Sequence, residues 1–210
     1  MAMKYNFAKK VISFFNIHAD RNQKPILISL FVTGLLLTYI NPRLVKTIIS
    51  ELPAEWIAFQ SLFGSVSGLV IGMLWKGSIR VKAMRWFFWL CVAECTAGFV
   101  LGMWLCFIKF NVWAFAIVSL IYTSLVTQFV AKCIMAFKTI LWKDRERELY
   151  DNNTSIVSGI VCIIGFGLAL MFMPSLEVAL FLWGLCCAVD DLGWMITYMR
   201  NKQLLKKSDA

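Results

Sequence analysis

Long apolar runs separated by short polar stretches fill most of the chain. Six of these runs are long enough to cross a hydrocarbon layer of about 30 Å. They cover residues 25–41, 56–75, 86–108, 113–131, 156–173 and 178–198. The polar stretches between them are too short to form a second folded domain. The pattern therefore predicts an all-α, integral membrane six-helix bundle.

Composition points to the same class of protein. Hydrophobic residues make up 60% of the chain and charged residues only 16%, whereas about a quarter of a soluble domain is typically charged. The seven cysteines are scattered through the apolar runs, without a C-x-x-C pair. Buried cysteines of this kind usually pack as small apolar residues. We interpret them as packing residues.

The distribution of positive charge predicts the orientation. The six spans leave 18 of the 21 Lys and Arg residues on one side and only Arg43, Lys46 and Lys109 on the other. Cytoplasmic flanks of membrane helices collect positive charge, so both termini are expected to be cytoplasmic. Residues 1–24 then form an amphipathic cytoplasmic segment, 25–199 the six-helix transmembrane domain, and 200–210 a basic cytoplasmic tail. The net charge of +9 indicates anionic lipid as a partner at the plasma membrane, and no nucleic acid.

The sequence lacks the residues that several kinds of catalytic and metal site require. The only histidine is His18, in the N-terminal segment, and no hydrolase motif or nucleotide-binding loop is present. A histidine metal site and a Ser/His or Cys/His nucleophile are therefore not available within the spans. The sequence predicts that the protein is not an enzyme and holds neither a metal nor a cofactor.

Three carboxyl groups lie deep within the apolar runs. Glu94 is eight residues from the inner end of the third span, or roughly 12 Å deep, and Asp190 and Asp191 are at most roughly 15 Å deep in the sixth. No basic residue lies at that depth. Such carboxyl groups must be protonated, wetted by a cavity, or bound to a cation.

Polar residues on neighbouring spans complete the predicted site. We expect substrate or ion binding by six residues: Glu94, Asp190, Asp191, Gln60, Tyr122 and Gln128. One aspartate is expected to face the cavity and the other to bond to a neighbouring helix, for which the fourth span offers partners. The alternative is that these groups are interhelical hydrogen bonds, each contributing about 0.6 kcal/mol.

Small residues recur at four-residue spacing in two spans. The positions are Gly64, Gly68 and Gly72 in the second span, and Gly98 and Gly102 in the third. This spacing places a smooth stripe along one helix face, where another backbone can approach closely. The stripes indicate helix packing within one chain or a dimer contact.

Six spans divide into two sets of three that run in opposite directions, which is the topology of an inverted repeat. The stretch NPRLVKTIISELPAEWIAFQSLFGSVSGLVIGMLWKGSIRVKAMRW resembles the start of a major facilitator superfamily transporter. It has a Pro after the first span, a short outer loop, a second span rich in small residues and a basic loop. Of that family's loop motif G-x-x-x-D-[RK]-x-G-[RK]-[RK], Gly72 and Arg80 match, while Lys76, Gly77 and Ile79 depart from it.

The resemblance covers the whole chain but only one six-helix half of a usual member. It implies a half-size permease, in which proton or cation coupling moves a small-molecule solute past the deep carboxyl groups. A homodimer or another membrane subunit would then supply the missing half. Two alternatives remain: the substrate-binding subunit of an energy-coupling-factor vitamin importer, and a membrane assembly or accessory protein that transports nothing.

Overall fold

The computed structural model describes residues 19–75, 83–107 and 111–208, with side chains as far as Lys202. This part of the chain is helical and contains no β-strand. Six of its helices are long and apolar enough to cross a membrane. The prediction of an all-α, multi-pass membrane protein is confirmed. The predicted amphipathic segment as far as residue 18, and the motif positions between 76 and 80, lie outside the described residues.

The spans are numbered α1 to α6 in chain order. They are α1 (Gln23–Glu51), α2 (Ala54–Leu74), α3 (Phe87–Phe107), α4 (Val112–Leu141), α5 (Asp144–Met171) and α6, which has two parts, α6a (Leu176–Val189) and α6b (Leu192–Ser208). Helix α4 contains a π-helical segment, Tyr122–Thr127. The basic tail predicted from residue 200 continues α6b as far as Ser208.

Helices α1, α4 and α5 extend well beyond the apolar runs that predicted the spans. Helix α4 continues ten residues past residue 131, to Leu141, and α1 continues ten residues past residue 41, through Pro42 to Glu51. Apolar burial on that last part, at Leu44 among others, outweighs the local preference against proline, which removes one backbone hydrogen bond.

Helix α5 begins twelve residues before the fifth apolar run, at Asp144. Its first turn carries Asp144 and Glu146, which favour the positive end of the helix dipole, and the Glu146 carboxylate accepts a hydrogen bond from the Lys143 backbone N–H at 3.1 Å. The charged stretch predicted to be a link is therefore the first part of α5.

The sixth span is not one continuous helix. Its α-helical hydrogen bonding stops at Val189 and resumes at Leu192, so Asp190 and Asp191 form a turn within the span. Ser29 of α1 donates its hydroxyl to the carbonyl oxygens of Val189 and Asp190, at 2.8 and 2.9 Å. Free carbonyl groups in hydrocarbon are costly, and a neighbouring serine can satisfy them. Helix α1 therefore stabilises the break.

Helices α3 and α6a pack antiparallel at very short range. A Cβ atom at Gly98 would meet the Cys187 side chain, and one at Gly102 would meet the backbone of Gly184. Small residues allow this approach, since helix association in a membrane depends on close packing. The α3 stripe of glycines is thus a contact within the chain.

The three glycines of the α2 stripe differ in whether another helix covers them. A Cβ at Gly68 would lie 2.9 Å from Gln128 Oε1, and one at Gly64 would lie 3.7 Å from Ser124 Oγ, both on α4. Nothing lies within 4 Å of the corresponding position at Gly72. Helix α2 therefore docks on α4 through Gly64 and Gly68.

Aromatic residues form a layer at each end of the bundle. Arg21, Lys143 and Arg200 belong to one end, which we call the basic end. The aromatic layer at the basic end consists of Phe87, Phe137, Trp142, Tyr150, Trp194 and Tyr198. The aromatic layer toward the opposite end contains Phe115, Tyr122 and Trp183. The ring centroids of Trp142 and Tyr150 are 4.7 Å apart. The middle of the bundle is enclosed between the two layers.

The α3–α6a contact leads to a stability prediction. Replacing Gly102 with Ala should destabilise the protein by about 1–3 kcal/mol, because the new methyl group meets backbone atoms that cannot rotate away. The measurement is thermal unfolding in detergent. Gly167→Ala is the matched control, because it gains the same helix propensity of up to about 1 kcal/mol and meets nothing within 4 Å. Equal behaviour of the two variants would contradict the close approach.

Candidate functional site

The deep carboxyl groups meet where the α3–α6a contact continues toward the basic end. Gly102 faces Gly184 and Gly98 faces Cys187. The next step in this antiparallel register brings Glu94 to Asp191, and their carboxyl groups lie within hydrogen-bonding reach of each other. Both residues are buried, at 3% and 5% exposure. Close packing by small residues thus brings two acids together at the centre of the bundle.

The π-helical segment of α4 holds Glu94. The Tyr122 hydroxyl donates to the Glu94 backbone carbonyl at 3.3 Å, and Thr127 lies within hydrogen-bonding reach of the Glu94 carboxyl group. In an α-helix, residues five apart point about 140° away from each other. The i to i+5 hydrogen bonding of a π-helix instead stacks them on one face. The π-helix therefore lets both residues contact Glu94.

Asp191 has few hydrogen-bond donors. Its carboxyl group lies beside Glu94 and the thiol of Cys91, yet its Oδ2 atom has no donor among the described residues when both acids are ionised. Two adjacent carboxylates in a medium of low dielectric repel each other strongly. A proton or a cation held between them removes the repulsion. The geometry of the pair therefore allows it to share a proton or a cation.

Asp190 differs from its neighbour. It is exposed, and its carboxyl group lies within hydrogen-bonding reach of Thr33 on α1. The Thr33 hydroxyl also donates to the Ser29 carbonyl at 3.0 Å, and Ser29 binds the broken end of α6a. Helix α1 thus contributes two hydroxyl groups to the helix break.

A small cavity joins the three acids. It has a volume of about 150 Å³ and is lined by Glu94, Thr127, Asp190 and Asp191 together with apolar residues. Tyr150 and Trp194 of the basic-end aromatic layer also line it. We call it the polar cavity. Its wall toward the basic end is therefore aromatic.

A second cavity lies on the other side of Glu94, between α2, α3 and α4. Its volume is about 450 Å³, and Glu94 is the only charged residue in a lining that is otherwise apolar. Ala93, Ala97 and Leu125 in this lining are exposed, so the cavity opens at the surface of the helix bundle and is not an enclosed pocket. We call it the apolar cavity. Glu94 lines both cavities.

The remaining predicted residues lie outside the acid cluster. Gln128 donates through Nε2 to the Gly64 carbonyl at 3.0 Å, which joins α4 to α2, and Gln60 is half-buried on α2. Their predicted role in binding stays a prediction. Among the hydroxyl groups of α4, those of Tyr122 and Thr127 contact Glu94. The contacts of the aspartates are instead with Thr33 of α1 and with Glu94 and Cys91 of α3.

The sequence did not single out the groups that contact the aspartates. These are Thr33 and Cys91, and Ser29 at the helix break. A hydroxyl or thiol within an apolar span is common, and the relative rotation of the helices decides which of them face an acid. One feature of the sequence did indicate the contact of Glu94 with α6. The four-residue spacing of Gly98 and Gly102 identifies the face of α3 that packs on α6, and Glu94 lies on the same face.

No group of three or more His, Cys, Asp and Glu side chains in the described ranges is arranged to hold a metal ion. Comparison with protein-family models, with curated proteins and with solved structures finds no match to this chain. The resemblance to the major facilitator superfamily therefore stays a prediction, and the function must be argued from the site.

The acid pair gives a second stability prediction. We expect Glu94→Gln to raise the thermal stability in detergent by about 1 kcal/mol, because an amide donates a hydrogen bond to Asp191 without like-charge repulsion. Glu94→Leu has a similar length and cannot donate, so it should lower the stability by about 1–3 kcal/mol. If both substitutions destabilise equally, Glu94 does not share a hydrogen bond with Asp191.

Proposed function

We propose that the chain is a half-size, secondary-transporter-like protein that moves a small solute in exchange for or together with a proton or cation. The observation that carries this proposal is the position of Glu94 between two cavities. Glu94 lines the apolar cavity, and in the polar cavity its carboxyl group pairs with Asp191. A single ionisable group is thereby available to both a solute and an ion.

The charge of Glu94 links binding of the solute to binding of the proton or cation. With a proton on Glu94, the lining of the apolar cavity carries no charge and favours a neutral, mainly apolar solute, while the pair keeps at most the single negative charge of Asp191. When the positive charge leaves, the carboxylates repel each other across the α3–α6 contact. Occupancy of one cavity then changes the free energy of the other, as coupling between two sites requires.

Two irregular segments next to the acids provide places for movement. The break at Asp190 and Asp191 divides α6, and the π-helical segment Tyr122–Thr127 divides α4. Broken helices near the midplane surround the substrate and ion sites of many secondary transporters. Shifts of α6b against α6a would carry Trp194, part of the aromatic wall of the polar cavity. In the proposed cycle this wall opens toward the basic end, which the charge pattern predicts to be cytoplasmic.

The proposal includes the predicted inverted repeat. Helices α3 and α6 are the third members of the two sets of three, which run in opposite directions, and they meet with their acids in contact. Sites near the midplane at the interface of two repeats are typical of secondary transporters. We include the repeat, the cytoplasmic termini and the plasma membrane in the proposal.

A partner chain belongs to the proposal as well, since a single half cannot enclose a path between two halves. Gly64 and Gly68 are already covered by α4. The neighbouring face of α2 carries small, exposed residues at Ala58, Ser61, Ser65 and Gly72, whose spacing of three, four and seven keeps them on one side. This face is the better candidate for a homodimer or for another membrane subunit.

The coupling is tested in proteoliposomes loaded with a pH-sensitive dye. A panel of small neutral and cationic organic solutes should change the internal pH in vesicles that contain the parent protein. We expect the change to be lost, by at least tenfold in rate, in Glu94→Gln and Asp191→Asn, because neither variant keeps the paired acids. Glu55→Gln is the control, because Glu55 is an exposed acid near the start of α2. Parent-like rates in both site variants would disprove the coupling.

The apolar cavity is tested by filling it. Ala97 lines this cavity, so Ala97→Phe should lower solute binding at least tenfold while the protein remains folded. Thr96→Phe places the same side chain one residue away, at an exposed position outside the lining. Binding is measured by the thermal shift that each solute produces. Equal loss in both variants would show that the solute does not occupy this cavity.

A further inference from the structure

A groove at the basic end separates α1 from α6b. Beside the groove, α1 and α6b approach each other very closely. A Cβ at Gly193 would lie 2.6 Å from both the Ile26 Cα and the Pro25 carbonyl oxygen. The Thr197 hydroxyl donates to the Asn22 carbonyl at 3.0 Å, which fixes the same contact. The groove has a volume of about 560 Å³. It is separate from the polar and apolar cavities.

The mouth of the groove is positively charged. Arg21, Lys24 and Arg200 line it, and no acidic side chain does. The Arg200 guanidinium donates to the Arg21 carbonyl at 3.0 Å, which holds it at the mouth. Asp20, which precedes Arg21, is occupied by other donors: the backbone N–H groups of Asn22 and Gln23 and the Trp142 indole N–H. The three cations are therefore available to an anionic ligand.

The rest of the groove is apolar. Ile28, Val32, Leu192 and Ile196 line it below the basic mouth. Arg21 and Val32 are eleven residues apart, which is about 16 Å along a helix, or roughly half of a hydrocarbon layer of about 30 Å. The groove is thus cationic at headgroup level and apolar over the depth of one leaflet.

We propose that this groove is a binding site for one anionic phospholipid. Its phosphate contacts Arg21, Lys24 and Arg200, and one acyl chain lies along Ile28, Val32 and Ile196. Basic pockets between membrane helices recognise anionic headgroups in this manner. The proposal does not depend on the transport function.

The position of the groove gives the lipid a structural role. Ser29 and Val189 also line it, and these residues make the hydrogen bond that closes the end of α6a. The end of the bound acyl chain therefore lies against the break in α6. An occupied groove supports the contact between α1 and the break, so the lipid should stabilise the folded protein.

The charged mouth is tested in nanodiscs with equal amounts of phosphatidylglycerol and phosphatidylcholine, with lipid retention measured by native mass spectrometry. The parent protein should retain phosphatidylglycerol selectively. The double substitution Arg21→Gln with Lys24→Gln should weaken retention about thirtyfold. Arg85→Gln with Lys143→Gln is the matched control, because it removes the same charge at exposed positions outside the groove and should retain the lipid as the parent does. Equal loss in both double variants, or equal retention of the two lipids by the parent, would overturn the proposal.

The apolar part is tested with phosphatidylglycerol that carries a photoreactive group on its acyl chain. Cross-links in the parent should map to α1 and α6b within the groove. Val32→Trp fills the groove and should reduce these cross-links at least tenfold, whereas Ile163→Trp, at an exposed position on α5, should not. Cross-links spread evenly over the lipid-facing helices would overturn the proposal. A photoreactive side chain at Ile28 tests for other occupants of the groove. Cross-links from it to the chain's own residues 1–18, or to another protein chain, would also overturn the proposal.

Discussion

The contact of two acids, Glu94 and Asp191, in the centre of an apolar bundle is the constraint on which the structure depends. It exists because α3 and α6a approach closely at Gly98 and Gly102. Larger residues there would separate the helices, and the two acids could then no longer share a proton or a cation. The small residues therefore decide whether the acids act as a pair.

The irregular backbone of the molecule lies around this pair. A helix satisfies all its own backbone hydrogen bonds, so a break within the membrane persists only where other groups replace them. Ser29 replaces them at the break in α6. The π-helical segment of α4 turns Tyr122 and Thr127 toward Glu94. Both irregular segments thus position the acids. The break in α6 places Asp190 and Asp191 in a turn, and the π-helical segment of α4 contacts Glu94.

The sequence predicted the class of fold and the six spans, because these depend on hydropathy and distance along one helix. It did not predict that α1 passes through Pro42, that α5 starts at Asp144 or that α6 breaks at its aspartates. Each of these depends on contacts from another helix, such as the hydroxyl of Ser29. The partners of the acids were missed for the same reason, since only the packed bundle fixes how each helix is rotated.

The alternative that the acids are interhelical hydrogen bonds differs from the proposal in one chemical respect. Asn and Gln would make the same bonds without like-charge repulsion, and such bonds contribute only about 0.6 kcal/mol each. At Glu94 and Asp191 the chain instead carries carboxyl groups, and no Lys or Arg among the described residues lines either cavity beside them. Two carboxyl groups can share a proton or a cation, which two amides cannot do. Reversible binding of that charge is what the proposed coupling requires.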